Sequence, residues 1–347
     1  TFFGSDAYDQ VYFVRIANSN KIFICGQTKA TGSTLVYNAL YNIPNSGQFI
    51  SNLSYDLTNL NWSTTFGTGN GKPNISITAF TADICNRVYL SGWGREWGGM
   101  DGNTWGSIEG TKNMEITNDA YQDSTDGQDF YVMILSEDAQ TLEYASYFGE
   151  LHYTGCTRSG GDHVDGGTSR FDRFGYIYQS VCASCGGCQE FPIFPDPHPD
   201  TLSASNASTN CNNAIFKIAF NFPMTIADFK VPQSNCFPVE IEFENISQDA
   251  TTFEWTLPDG STSTNVNSSF YFTEAGLFEI TLVANSTETC NLSDTITKIV
   301  KIEENVVETL AALHYCLGDS ILVGFSPSGN PNVSYLWDNS TFLTESN

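Results

Sequence analysis

Three cysteines at two-residue spacing, Cys182, Cys185 and Cys188, could do metal chemistry. This spacing can hold zinc or an iron–sulfur cluster. The further ligands for such a site would be Cys211, His152, His163 and His198. The alternative is a glycine-rich loop held by disulfides, which is the more common fate of thiols in an oxidising compartment. Because the chain has ten cysteines, we predict disulfides that involve Cys182, Cys185, Cys188 and Cys211.

The remaining cysteines suggest how a later part of the chain is cross-linked. Cys236 and Cys290 flank one β-rich segment, and we predict a disulfide between them. Cys316 takes the place of Cys236 in the following segment, so its partner is expected beyond Asn347. Seven cysteines lie before Cys236, and an odd number cannot all pair with one another.

An acidic, glycine-rich loop is the other candidate ion site. It contains Asp162, His163, Asp165 and Asp172. Carboxylates on tightly turning backbone can bind calcium, so calcium is the cofactor that this loop suggests. The alternative, which we favour, is that Asp and Gly form the turns between strands.

A third candidate is the glycine-rich loop that contains Trp93, Trp97 and Trp105. Exposed tryptophan rings on such a loop could stack on sugar rings and bind a glycan. The alternative, which we again favour, is that the rings turn inward and form a small core under the loop.

Composition and motifs exclude several classes of function. The chain has no Gly-x-Ser-x-Gly elbow, no His-Glu-x-x-His helix motif and no phosphate loop, so we predict that it is not an enzyme. The 39 acidic residues against 14 basic ones give a net charge of −25, which argues against a nucleic-acid partner. No apolar run is long enough to span a membrane.

The elements that must position these residues are repeated strands. A Phe-Gly pair occurs at Phe3-Gly4, Phe66-Gly67 and Phe148-Gly149, and the segments before the last two align without a gap at an offset of 82 residues. Short strands that end in aromatic residues and glycines, repeated in series, are typical of propeller blades. We therefore predict an all-β fold in which residues 1–222 form an incomplete β-propeller-like region, with further blades upstream.

The pattern changes after Phe222. Strict alternation of apolar residues predicts a β-sandwich over 226–303. A second copy begins near Val306 and is cut short at Asn347, so 306–347 is predicted to be a truncated second sandwich.

Two families resemble these regions. Phe253–Ser261 and Tyr271–Leu282 resemble PKD domains, although Thr256-Leu257-Pro258 replaces the Asp-Phe-Gly part of the family motif. Asp162–Asp172, Val181–Gly187 and Asn210–Lys217 resemble the SBBP-type propeller units of Bacteroidota surface proteins. Together, a propeller and PKD or immunoglobulin-like modules resemble gliding-motility-associated adhesins that the type IX secretion system exports.

The resemblance implies a non-enzymatic adhesin at the cell surface. Its partners would be the secretion and gliding machinery or other outer-membrane surface proteins, together with an extracellular polysaccharide or a solid surface. The alternative is the glycan-binding accessory region of a secreted polysaccharide-degrading enzyme. The resemblance also implies O-glycosylation at Asp-(Ser/Thr)-apolar sites, which here are Thr201, Thr295 and Ser320.

Overall fold

The computed structural model describes residues 2–17, 20–94, 110–151, 162–164, 169–172, 175–183, 191–192, 212–220, 222–232 and 235–304. Every regular element in these ranges is a β-strand, so the predicted all-β class is confirmed. The chain divides into two units, Thr1–Glu303 and Glu304–Asn347. The predicted second sandwich, residues 306–347, lies outside the described residues. Among the described residues, no helix is long and apolar enough to cross a membrane.

Three antiparallel sheets make up the repeat region, and each follows the order of the sequence. The first sheet contains β1 (Asp9–Ile16), β2 (Lys21–Thr28), β3 (Gln48–Ser54) and β4 (Leu60–Phe66). The second sheet contains β5 (Ser76–Ala82), β6 (Val88–Trp93), β7 (Phe130–Leu135) and β8 (Leu142–Phe148). The third sheet contains β9 (Ser169–Phe171), β10 (Ile177–Ala183) and β11 (Asn212–Ile218).

The hairpins β3–β4 and β7–β8 share the same turn conformation, the same turn hydrogen bond and the same bulge. Leu57 and Ala139, which are 82 residues apart, both adopt a left-handed φ, 60° and 54°. Their N–H groups donate to the carbonyls of Ser54 and Ser136, at 2.9 and 3.0 Å. A β-bulge occurs at the same place in both ladders. The predicted alignment of these two segments is therefore confirmed.

The first hairpin of each sheet repeats a second turn. Asn20, Asn86 and Gly175 occupy its left-handed position, with φ of 56°, 60° and 75°. Asparagine and glycine are the residues that tolerate this conformation best. The turn fixes the register of the strand before it against the strand after it, so residues at equal distances from these three positions are structurally equivalent.

The three sheets stack face to face. Phe23, Ile50 and Trp62 of the first sheet belong to one apolar core with Leu90 and Met133 of the second. The opposite face of the second sheet forms another core with the third sheet, which includes Tyr89, Phe130, Val132, Ile177 and Phe216. Consequently β6 and β7 are buried along their whole length. Strand order is linear in all three sheets, and the described residues do not close a ring.

A β-sandwich follows the repeat sheets. Its larger sheet has the order β12-β18-β17-β14-β15, and its smaller sheet pairs β13 with β16. These strands are β12 (Asn235–Cys236), β13 (Val239–Phe243), β14 (Thr252–Thr256), β15 (Thr262–Ser263), β16 (Ser268–Phe272), β17 (Gly276–Asn285) and β18 (Ser293–Glu303). Trp255 is fully buried at the centre, where its ring lies 5.1 Å from that of Phe229 and 6.2 Å from that of Phe243.

A disulfide joins the sandwich to the second repeat sheet. Cys290, in the turn between β17 and β18, is bonded to Cys85, in the turn between β5 and β6, with the two Cα atoms 5.8 Å apart. Cys236 is an exposed free thiol, so the predicted Cys236–Cys290 pair is wrong. The strand register explains why, since Cys236 pairs with Glu303 at the far end of β18. Ten residues of strand, roughly 30 Å, separate that end from the turn of Cys290.

Other contacts surround this disulfide. Met224 and Ile226 at the start of the sandwich form a small apolar cluster with Cys85. The Arg87 guanidinium lies 4.7 Å from the centre of the Phe222 ring, and it forms an ion pair with Glu143 at 2.8 Å. The junction between repeat sheets and sandwich is thus both packed and cross-linked.

We predict that Cys85→Ser and Cys290→Ser lower the free energy of unfolding by about 2–5 kcal/mol, because the cross-link closes a very long loop. Chemical denaturation under non-reducing conditions would measure this loss. Cys236→Ser is the matched control and should change stability by less than about 0.5 kcal/mol, since its side chain is exposed and free. Large losses for Cys236→Ser and Cys290→Ser, with none for Cys85→Ser, would restore the original pairing.

Candidate ligand-binding cleft

The first strands of the three repeat sheets line a cleft of 480 Å³. Its walls come from β1, β5 and β9, together with residues of β6 and of the segment before β9. The lining residues are Phe13, Arg15, Ser76, Ile77, Thr78, Ala79, Phe80, Thr81, Trp93, Val164, Ser169, Arg170 and Phe171. Apolar rings and two cations therefore share one concave surface.

Three of these residues occupy the same position of the repeat. Arg15, Thr81 and Arg170 each lie five residues before the left-handed residue of their own hairpin turn. Each also pairs with the third residue after that turn position. Because β1 and β5 carry a bulge at the same place, the equivalence holds along both strands. The two arginines thus flank a threonine at matching places in neighbouring sheets.

Backbone carbonyls and a ring hold the two guanidinium groups. Arg15 donates from Nε to the carbonyl of Phe80 at 2.8 Å and from Nη1 to the carbonyl of Val14 at 3.0 Å. Its guanidinium carbon also lies 5.6 Å from the centre of the Phe13 ring. Arg170 donates from Nη1 to the carbonyl of Ser169 at 2.8 Å. Within the described ranges, neither arginine forms an ion pair with a carboxylate.

A buried glutamine ties the second and third sheets together beside the cleft. The Gln179 side-chain oxygen accepts a hydrogen bond from Thr78 Oγ1 at 3.2 Å and another from Ser169 Oγ. Gln179 is completely buried, and its bond from Thr78 crosses from the second sheet to the third. The walls of the cleft are therefore held in a fixed relation.

A second polar cluster, beside the disulfide, has a structural role. The Tyr89 hydroxyl donates to Asp83 at 2.8 Å, and the Arg87 guanidinium lies 3.4 Å from the same carboxylate. Asp83 also accepts the backbone N–H groups of Cys85 and Arg87. Burial raises the pKa of Asp83 and, more strongly, that of Tyr89. This cluster fixes the turn that carries Cys85.

Trp93 is the one predicted glycan-stacking residue that the described ranges include. It lies at the end of β6, is only 6% exposed, and packs against the His163 ring with 5.7 Å between ring centres. This arrangement agrees with the inward-packing alternative. Trp97 and Trp105 lie outside the described residues.

The structure gives two of the predicted calcium ligands a role in turns. Asp9, Asn74 and Asp162 each accept a hydrogen bond from the backbone N–H of the residue that follows a Phe-Gly pair, at 3.0 Å for Asn74 and 2.9 Å for Asp162. Asp172 accepts the N–H of Tyr176 at 3.0 Å within the repeated hairpin turn. Asp165 is outside the described residues. In the described ranges, no group of three His, Cys, Asp or Glu side chains is placed to hold a metal.

The remaining predicted residues are dispersed. Cys182 lies on β10 opposite Asn213, whereas Cys185, Cys188 and Cys211 are outside the described residues. Thr295 is exposed on β18 opposite Val283, so an O-glycan there would extend into solvent. Thr201 and Ser320 are also outside the described residues, and their modification stays a prediction.

Sequence reasoning missed both arginines of the cleft. The signal was present, because they stand at one fixed distance before two of the three repeated turns. The pattern is hard to see because Thr81 occupies the equivalent position of the second sheet. The three turn residues are also unequally spaced, with 66 residues from Asn20 to Asn86 and 89 from Asn86 to Gly175.

The PKD domain family matches residues 224–297, which contain the buried Trp255 and most of both sheets. We therefore call residues 224–297 the PKD domain, after the family that they match. No curated protein matches the chain.

Solved structures of low similarity include two PKD domains. The PKD1 domain of Vibrio anguillarum Epp is 19% identical, over 23% of this chain and 94% of that one, with a TM-score of 0.21. The PKD1 domain of the Vibrio cholerae metalloprotease PrtV is 23% identical, over 24% of this chain and 98% of that one, with a TM-score of 0.19. An extracellular domain of a B. thetaiotaomicron hybrid two-component system is 12% identical, over 85% of this chain and 44% of that one, with a TM-score of 0.18.

Asp162 allows a test that separates its role in the turn from calcium binding. Since an asparagine performs the same role at position 74, we predict that Asp162→Asn keeps most of the stability. Asp162→Ala should cost about 1–3 kcal/mol, because a buried N–H loses its acceptor. Thermal denaturation with and without calcium would measure both effects. If calcium stabilises the parent chain and this effect disappears in Asp162→Asn, the ligand role is supported instead.

Proposed function

We propose that this chain is a non-enzymatic, extracellular module of a cell-surface adhesin, in which repeat sheets and the PKD domain together form a rigid arm for attachment. The observation that carries the proposal is the junction of these two parts. The Cys85–Cys290 disulfide and the apolar cluster of Met224 and Ile226 connect the PKD domain to the core of the repeat stack. A disulfide at this position is typical of proteins that work outside the cytoplasm.

The stacked sheets support closure into a propeller as part of the same proposal. Two complete four-stranded sheets and a third of three strands have the same strand order, and the second packs on its neighbours through both faces, as blades do. The sequence segments that resemble SBBP-type units support the narrower assignment to gliding motility and to export by the type IX secretion system. The partners would then be that machinery or other outer-membrane surface proteins, with an extracellular polysaccharide or solid surface as the target.

The cleft favours one further candidate function. A concave surface with aromatic rings and cations would also suit the glycan-binding accessory region of a secreted polysaccharide-degrading enzyme. The two proposals share a binding role for this chain and differ in the presence of a catalytic domain elsewhere in the full-length protein.

Beads that carry the purified chain would test the attachment role. We expect them to stay on polysaccharide-coated surfaces under flow without releasing reducing sugars. Beads with Cys85→Ser/Cys290→Ser should detach at lower flow, because the junction is no longer cross-linked, whereas Cys236→Ser beads should behave like the parent. Release of reducing sugars would contradict the non-enzymatic assignment, and failure to attach to any surface would contradict the adhesin.

A further inference from the structure

The cleft concentrates positive charge in a strongly acidic protein. The chain has a net charge of −25, yet the cleft contains two arginines and its described lining includes no Asp or Glu. Both cations lie at one repeat position, on either side of Thr81. Both arginine side chains are exposed, and the same register position places them on the first and third sheets.

The guanidinium groups are pre-oriented and still have donors to offer. A guanidinium carries five N–H groups. The backbone bonds use two of these in Arg15 and one in Arg170. Carbonyl bonds reduce the side-chain freedom that a ligand would otherwise have to restrict. Guanidinium donors match the paired oxygens of a carboxylate or sulfate.

The other lining residues indicate what kind of molecule would carry the anionic group. Phe13, Phe80 and Phe171 supply apolar surface next to the cations, and Thr81 supplies a hydroxyl. The volume of 480 Å³ lies within the range of small-molecule sites, about 300–1,000 Å³. A sugar ring has an apolar face that can pack on such residues and hydroxyls that can bond to a threonine.

We propose that this cleft binds a short acidic saccharide, with its carboxylate or sulfate groups at Arg15 and Arg170 and its rings against the aromatic lining. The proposal rests on the attachment role above and names the ligand for it. Electrostatics sets the length of the ligand. At physiological salt the Debye length is about 8 Å, so the acidic surface beyond the cleft is screened from a short ligand but would repel a long polyanion that runs across it.

Calorimetric titration of the full chain at physiological ionic strength tests the inference. The probes are a trimer of galacturonic acid, the same trimer with all carboxylates methyl-esterified, and a sulfated trimer. We expect an acidic trimer, carboxylated or sulfated, to bind at least about tenfold more tightly than the ester, because an oxyanion forms charge-assisted hydrogen bonds with a guanidinium and the uncharged ester forms weaker ones. Equal affinity for the acid and the ester would overturn the role of the arginines.

Two double variants localise the binding. Arg15→Gln/Arg170→Gln should weaken the acidic trimer at least about tenfold. Lys230→Gln/Lys301→Gln also removes two positive charges, from exposed positions in the β-sandwich, and should leave the affinity unchanged. Melting temperatures of both variants check that they fold. An equal loss in the two variants, or succinate binding as tightly as the trimer, would overturn the inference.

The outcomes also separate this inference from the proposed function. If no acidic trimer binds while beads still attach to neutral polysaccharide, the acidic ligand is wrong and the attachment role stands. If the beads attach to nothing and no trimer binds, both proposals fail.

Discussion

Burial of β6 and β7 on both faces is the constraint on which the repeat region depends. A sheet whose central strands are apolar on either side must lie between two other layers, because leaving one face in water exposes rings such as Tyr89 or Tyr131. The first and third sheets supply those layers. Stacking then brings β1, β5 and β9 side by side, and the cleft is the space between them. The packing of the core therefore determines where the cleft forms.

Local patterns made much of the fold predictable. The alignment at an offset of 82 residues placed Leu57 and Ala139 at the same turn position, and the structure gives both the same backbone conformation. Alternating apolar residues likewise identified the sandwich strands around Trp255. The disulfide partner of Cys290 could not be found in this way. It depends on how the PKD domain docks on the β5–β6 turn, and no period in the sequence encodes that contact. The arginine pair needed the register of three separate hairpins, which a bulge shifts in two of them.

Net charge and local charge have different consequences in this molecule. The excess of carboxylates governs solubility and repels polyanions at long range. Contact chemistry is decided within a few ångströms, where Arg15 meets carbonyl oxygens and a ring, Arg170 meets a carbonyl oxygen, and the described residues bring no carboxylate to either. Asp83 and Arg87 show the contrasting case. There the guanidinium forms an ion pair with a buried carboxylate and stabilises the junction between the repeat sheets and the sandwich. A net charge of −25 thus argues against nucleic acid as a partner without arguing against a small anion.

The junction and the cleft are linked through one hairpin. Cys85 lies in the turn that connects β5 to β6, and β5 carries Thr81 and Phe80, the middle wall of the cleft. A load applied through the PKD domain therefore enters the repeat stack at Cys85, next to the strand that would contact a ligand. Because β5 is hydrogen-bonded to β6, and β6 is buried between two sheets, the load is shared by many backbone bonds rather than by the cleft side chains. In an attachment module, this arrangement lets the arm bear force while the geometry around Arg15 and Arg170 stays intact.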